Sequence, residues 1–127
     1  MAGTPDQSIT AFGEYELLQS PQAFIEAAGV MAARVEKDGL STVLSYRFFV
    51  NAETRRAGVV IVYGDAETWI RHHQMIAGWP EFQAFRATAR MDSYTLFGPV
   101  NDTIREMGSK AAFPTTYFPQ QAAGFVR

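Results

Sequence analysis

The run Val59-Val60-Ile61-Val62-Tyr63 offers water no polar side, so a fold containing it must cover both faces of that strand. The segments on either side set its neighbours. Residues 12–18 alternate, with Tyr15 and Leu17 against Glu14 and Glu16, as a half-buried strand does. Ser20-Pro21 then starts a helix, Ser as N-cap and Pro in the first turn. Phe24, Ala27/Ala28, Met31 and Val35 form its apolar stripe, and Gly39 ends it in the C′ position. Residues 40–50 are rich in β-branched and aromatic side chains, and period two puts Leu40, Thr42, Leu44, Tyr46, Phe48 and Val50 on one face. A turn over 54–58 leads to the apolar strand. Asp65 caps a second helix whose stripe is Ala66, Trp69/Ile70, His73 and Ile76/Ala77. Gly78-Trp79-Pro80 breaks that helix, a short piece carries Phe82 and Phe85, and residues 90–98 alternate as a fourth strand.

The order β-α-β-β-α-β defines an α+β fold of ferredoxin-like type, in which right-handed crossovers put both helices on one face of a four-stranded antiparallel sheet. The other face would lie bare, although Val59 to Tyr63 has no polar side and Phe48 and Phe49 point oppositely. A second copy of the sheet is the economical cover, which predicts a homodimer through the sheet face. Residues 1–10 read as a loose arm and 11–110 as the folded domain. Asn101 or Asp102 caps a short helix stopped by Gly108. In residues 111–127, Pro114 and Pro119 argue for irregular structure, while Phe113, Tyr117, Phe118 and Phe125 require cover, so this tail is expected to pack on a cavity mouth or a partner subunit.

Several function classes find no support. The 127-residue chain has a net charge of -2 and two lysines, Lys37 and Lys110, with no basic run, which argues against nucleic acid and membrane surfaces as partners. It has no cysteine, hence no disulfide, thiolate metal site or Cys nucleophile. No stretch approaches the ~18 apolar residues of a membrane span, and residues 1–10 lack the apolar core of a secretory signal, so a cytoplasmic location is expected. There is no Gly-x-Ser-x-Gly elbow and no Walker or dinucleotide glycine pattern. No His lies four residues from another, and His72 and His73 diverge by about 100° around a helix, so no metal site is expected. Ten Phe, five Tyr and two Trp suit an apolar cavity or a buried interface.

The segments Val59-Val60-Ile61-Val62-Tyr63-Gly64-Asp65, Trp69-Ile70-Arg71-His72-His73 and Pro80-Glu81-Phe82-Gln83-Ala84-Phe85 carry a resemblance to antibiotic biosynthesis monooxygenase-like (ABM-type) proteins of the dimeric α+β barrel superfamily. It spans roughly residues 11–98. The resemblance implies a pocket between helices and sheet in each subunit, and oxidation of a small aromatic or quinol-like compound by molecular oxygen without metal or flavin cofactor. The chain departs from the pattern at Ile61, where many members carry a Glu. Its first strand also lacks the Asn that the haem-degrading branch uses.

His73, on the apolar stripe, is the candidate base, since histidine titrates near neutral pH. A core histidine with one satisfied hydrogen bond is the plain structural alternative. Trp69, Tyr63, Tyr46 and Phe48 are candidate pocket walls, each of which packing alone would also explain, and His72, expected at the helix edge, is a further candidate ligand contact. Asp65 and Glu67 are explained by capping. Trp79 is assigned to interface packing. Besides the oxygenase, two readings stay open: a non-catalytic dimer that binds a small apolar ligand or fills its own cavity, and aldol cyclisation or isomerisation of a polyketide-like compound.

Overall fold

The computed structural model describes residues 6–127, so half of the expected 1–10 arm lies outside the described residues. Element order is β1 (Ile9–Leu17), α1 (Pro21–Asp38), β2 (Val43–Asn51), β3 (Arg56–Tyr63), α2 (Ala66–Ile76), α3 (Pro80–Thr88), β4 (Ala89–Phe97), α4 (Asp102–Ser109) and β5 (Thr115–Phe118). The sheet runs β2-β3-β1-β4-β5. Its first four strands are antiparallel, as the ferredoxin-like order requires.

The fifth strand corrects the sequence reading of residues 111–127 as irregular throughout. Pro114 and Pro119 flank a four-residue strand instead of forbidding one. Pro114 contributes its carbonyl, which accepts from the Tyr94 amide at 3.1 Å, and the Phe118 carbonyl accepts from the Gly98 amide at 3.0 Å. A proline costs a strand only its own N–H, and at an edge that loss falls outside the ladder. α4 serves as the crossover that lets β5 run parallel to β4. β1 also starts earlier than expected, with Ile9 and Thr10 already paired to Tyr63 and Val62.

α1 begins as its sequence dictates. The Ser20 hydroxyl accepts from the Ala23 amide at 3.1 Å, Pro21 occupies the first turn, and Phe24, Ala28, Met31 and Val35 are buried. Gly39 closes it with an extended backbone, not a left-handed one. Glycine is needed there for space, because a Cβ would sit 2.5 Å from the Val35 carbonyl oxygen.

In β2 the expected single face is broken. A bulge between Val43 and Ser45 sets Tyr46 opposite Ile61 and Phe48 opposite Val59 on the helix side, and leaves Leu44 exposed. The core between sheet and helices is aromatic. Phe85 of α3 lies 5.6 Å from Tyr15, 5.4 Å from Phe24 and 5.0 Å from Phe48 between ring centroids. A second cluster joins Met31, Val35, Ile76 and Trp79. Trp79 is therefore a core residue between α1 and the α2–α3 break, with the Arg34 guanidinium 4.2 Å over its ring, and not the interface anchor its Gly-Trp-Pro setting suggested. No helix among the described residues is long and apolar enough to cross a membrane.

Candidate functional site

A cavity of about 660 Å³ opens between the core face of the sheet, α2, α3, α4 and the segment leading into β5. That is the size of a small-molecule site. All the sequence-predicted site residues line it: Tyr46 and Phe48 from β2, Tyr63 from β3, and Trp69, His72 and His73 from α2. α2 is aimed by its cap. The Asp65 carboxylate accepts from the Thr68 amide at 2.8 Å and from the Thr68 hydroxyl at 2.7 Å, and these bonds hold its pKa below the ordinary value. Asp65 is thus a structural cap.

His73 stands over the Trp69 indole, with centroids 4.0 Å apart and planes 32° from parallel. Its Nδ1 lies 2.7 Å from the Trp69 carbonyl oxygen. A carbonyl only accepts, so Nδ1 carries the proton and Nε2 keeps its lone pair. Burial pushes the pKa of His73 down to about 4, partly offset by that hydrogen bond. At neutral pH the ring is an unprotonated base.

His72 is not at the helix edge. It is 1 % exposed and wedged between Tyr46 and Tyr63, at 5.4 Å and 5.5 Å between centroids. A helical wheel assumes one covered side, but α2 is covered by β2 and β3 and also by α4, so a rotation of about 100° does not reach solvent. Burial, then the neighbouring His73, pushes the His72 pKa down to about 3. The two imidazoles are perpendicular, 5.4 Å apart, and the described residues contain no group of three metal-ligating side chains.

Two further phenols complete the site. Trp69 Nε1–H donates to the Tyr94 hydroxyl at 3.0 Å. Tyr63 is fully buried, and its hydroxyl approaches that of Tyr94 without reaching hydrogen-bond geometry. Burial raises the pKa of Tyr15, Tyr46, Tyr63 and Tyr94, so all four stay neutral. Tyr94 was read only as an apolar position of the fourth strand. Its alternation with Leu96 on the core face was the available signal, but its partner Trp69 lies 25 residues away and sequence spacing does not disclose it. The tail residues Phe113, Thr115 and Tyr117 also line the cavity.

Among the described residues, the buried side-chain polar atoms without a hydrogen-bond partner are Tyr63 Oη, His72 Nδ1 and Thr115 Oγ1. All three sit on residues that line this cavity, each closed off within its wall. Each unpaired group costs about 1–3 kcal/mol in a dry interior. The cavity thus combines apolar walls, a neutral base and, within those walls, unused hydrogen-bonding capacity.

The ferredoxin-like sheet with its helices on one face is the fold of the antibiotic biosynthesis monooxygenase-like proteins. Among solved structures, MupZ from Pseudomonas fluorescens is similar over 100 % of this chain and 94 % of its own, with a TM-score of 0.77 at 23 % identity. SnoaB from Streptomyces nogalater, a cofactor-independent oxygenase, matches 75 % of this chain and 95 % of its own at 14 % identity, TM-score 0.63. A Caulobacter crescentus protein named for the antibiotic biosynthesis monooxygenases matches 70 % of this chain and 88 % of its own at 17 % identity, TM-score 0.52. At these identities the likeness is one of fold. No protein-family model matches the sequence, and no curated protein is significantly similar to it.

Proposed function

We propose that the chain is a cofactor-independent oxygenase acting on a small aromatic or quinol-like compound in this cavity, with His73 as the base. The observation that carries the reading is an apolar, ring-walled cavity of about 660 Å³ beside a histidine whose Nε2 lone pair is free. A core that merely filled itself would leave no such space. The Streptomyces nogalater neighbour on the same fold is a cofactor-independent oxygenase.

The chemistry follows from the neutral interior. Nε2 of His73 takes the proton of a ring hydroxyl. A simple phenol titrates near 10 and His73 at about 4, so the transfer is uphill by roughly 8 kcal/mol before the ion pair forms. The new imidazolium stabilises the phenolate, whose charge the apolar walls screen poorly. The electron-rich ring then reduces molecular oxygen. One oxygen atom replaces a ring C–H hydrogen as a new carbonyl, the deprotonated hydroxyl becomes the second carbonyl, and the other oxygen atom leaves as water with the ring hydrogen and the proton held by His73.

The outer face of the sheet supports a homodimer. Phe12, Phe49, Phe97 and Phe118 are exposed on it, Phe97 and Phe118 stacked at 5.4 Å, and a second copy of the sheet would cover them. Phe125 and Val126 are exposed in the last residues and are assigned to the same partner.

The test is oxygen uptake on a panel of hydroquinones and anthrone-like phenols by wild type and His73→Ala. Uptake that the folded variant loses by about 100-fold or more supports the assignment. Ligand-induced stabilisation without uptake moves the function to the cyclase or binding reading, whereas neither response refutes an open aromatic pocket.

A further inference from the structure

The cavity lining contains no Asp or Glu, although the chain as a whole holds 13 of them against 11 Lys and Arg. Its charged members are Arg86, Arg90 and Lys110, all three exposed, from the last turn of α3, the start of β4 and the end of α4. Burial keeps the lining members His72, His73, Tyr15, Tyr46, Tyr63 and Tyr94 neutral at pH 7. Charge is therefore confined to where the lining meets solvent, and it has one sign.

These cations are only partly neutralised. Arg90 is held by Glu16 across the β1–β4 pair, and Lys110 Nζ lies 3.4 Å from Glu106 one turn back on α4. Both carboxylates lie outside the lining. Arg86 has no carboxylate partner among the described residues, and its guanidinium rests 5.6 Å over the Phe82 ring, itself a cavity wall. An arginine flattened on an aromatic keeps its N–H edge free for a planar anion.

We propose that the ligand of this cavity is an amphipathic anion: an aromatic body buried against the rings, and a carboxylate or other oxyanion kept at the mouth by Arg86, Lys110 and Arg90. This inference rests on the proposed reading of the cavity as an aromatic-binding site. An anion cannot enter the interior cheaply, because no cation there would compensate its lost hydration. At the rim it keeps water on one side and gains Arg86 on the other, which fixes which end of the substrate faces His73.

The experiment compares two probes of the same shape, 2-naphthoate and 2-naphthamide, by calorimetric titration at low salt. The variants are Arg86→Glu and Lys110→Glu, both exposed sites whose exchange leaves the core untouched, with folding checked by circular dichroism. The naphthoate binds about tenfold tighter than the amide to wild type, from Coulomb attraction at a partly hydrated rim. That margin disappears in either variant and in 0.5 M salt, while amide affinity stays the same. Equal binding of both probes to wild type, or a margin that survives both variants, overturns the inference and leaves the aromatic cavity standing. Binding of neither probe overturns the cavity reading and the inference with it.

Discussion

Two Tyr→Phe changes in one cavity should move stability in opposite directions. Tyr94 supplies the acceptor for Trp69 Nε1–H at 3.0 Å, and Trp69 is buried. Tyr94→Phe keeps the ring and strands that donor, at a cost of about 1–3 kcal/mol. Tyr63 is as deeply buried, but its hydroxyl has no hydrogen-bond partner. Tyr63→Phe removes a desolvated group that contributes nothing in return, and should stabilise the chain by about 1 kcal/mol. The two variants therefore separate by roughly 2–4 kcal/mol, or on the order of 10 °C in melting temperature for a domain of this size. Urea denaturation reads the difference directly as a shift in midpoint at constant slope. If both variants lose stability to the same extent, the Tyr63 hydroxyl has a partner in solution, and the claim of spare hydrogen-bonding capacity in the cavity wall fails.

The pH dependence of oxygen uptake should place the histidine limb near pH 4 and leave activity flat through neutrality, because burial holds His73 unprotonated; a limb at the ordinary value of 6.5 would mean a solvated ring. Folding stability should fall as pH drops from about 6.5 toward about 4, since in that window the unfolded chain binds protons that His72 and His73 refuse when folded. The slope is up to ~1.4 kcal/mol per pH unit for each histidine, so His73→Gln reduces it, and a slope unchanged by that variant refutes the burial argument. Phe118→Glu, on the exposed face of β5, should convert dimer to monomer in sedimentation or light scattering while leaving the helix-side core folded; a wild-type monomer, or a dimer indifferent to the change, refutes the sheet-face interface.

The parts of the fold that were legible in the sequence are those set by local chemistry. Ser20-Pro21 and Asp65 cap their helices as expected, and Gly78-Trp79-Pro80 separates α2 from α3. The run 59–63 is the inner part of β3, paired on both sides. Non-local effects stayed hidden. The β2 bulge falls where Val43 and Leu44 are adjacent and both apolar, so period two does not reveal the one-residue slip. β5 needed a neighbour, β4, to turn four residues between prolines into a strand. For the site, the helical stripe singled out Trp69 and His73, strand alternation Tyr46 and Phe48, and the end of the central strand Tyr63, and all of them line the cavity. His72 was misjudged because α2 is roofed as well as floored, and Tyr94 and Thr115 were missed because only the folded sheet brings them near α2.

Small side chains share the core face of β1 with Tyr15: Ala11 is fully buried, and Gly13 is met by the Met91 methyl, 2.7 Å from where a Cβ would stand. Large rings stand on the flanking strands and helices and lean on one another, Phe48 on Phe85, Tyr46 on Phe48, Trp69 on His73. Rings that lean on one another at an angle hold their positions without filling the space between them, which is how an apolar cavity survives in a close-packed core. Ile61 lines the same cavity, so a carboxylate at that position would have put a charge into a lining that also holds two unprotonated imidazoles. On the proposed reading, isoleucine keeps the interior neutral, the proton-accepting role falls to the Nε2 of His73, and any charge on the ligand is left to the arginines and lysine at the rim.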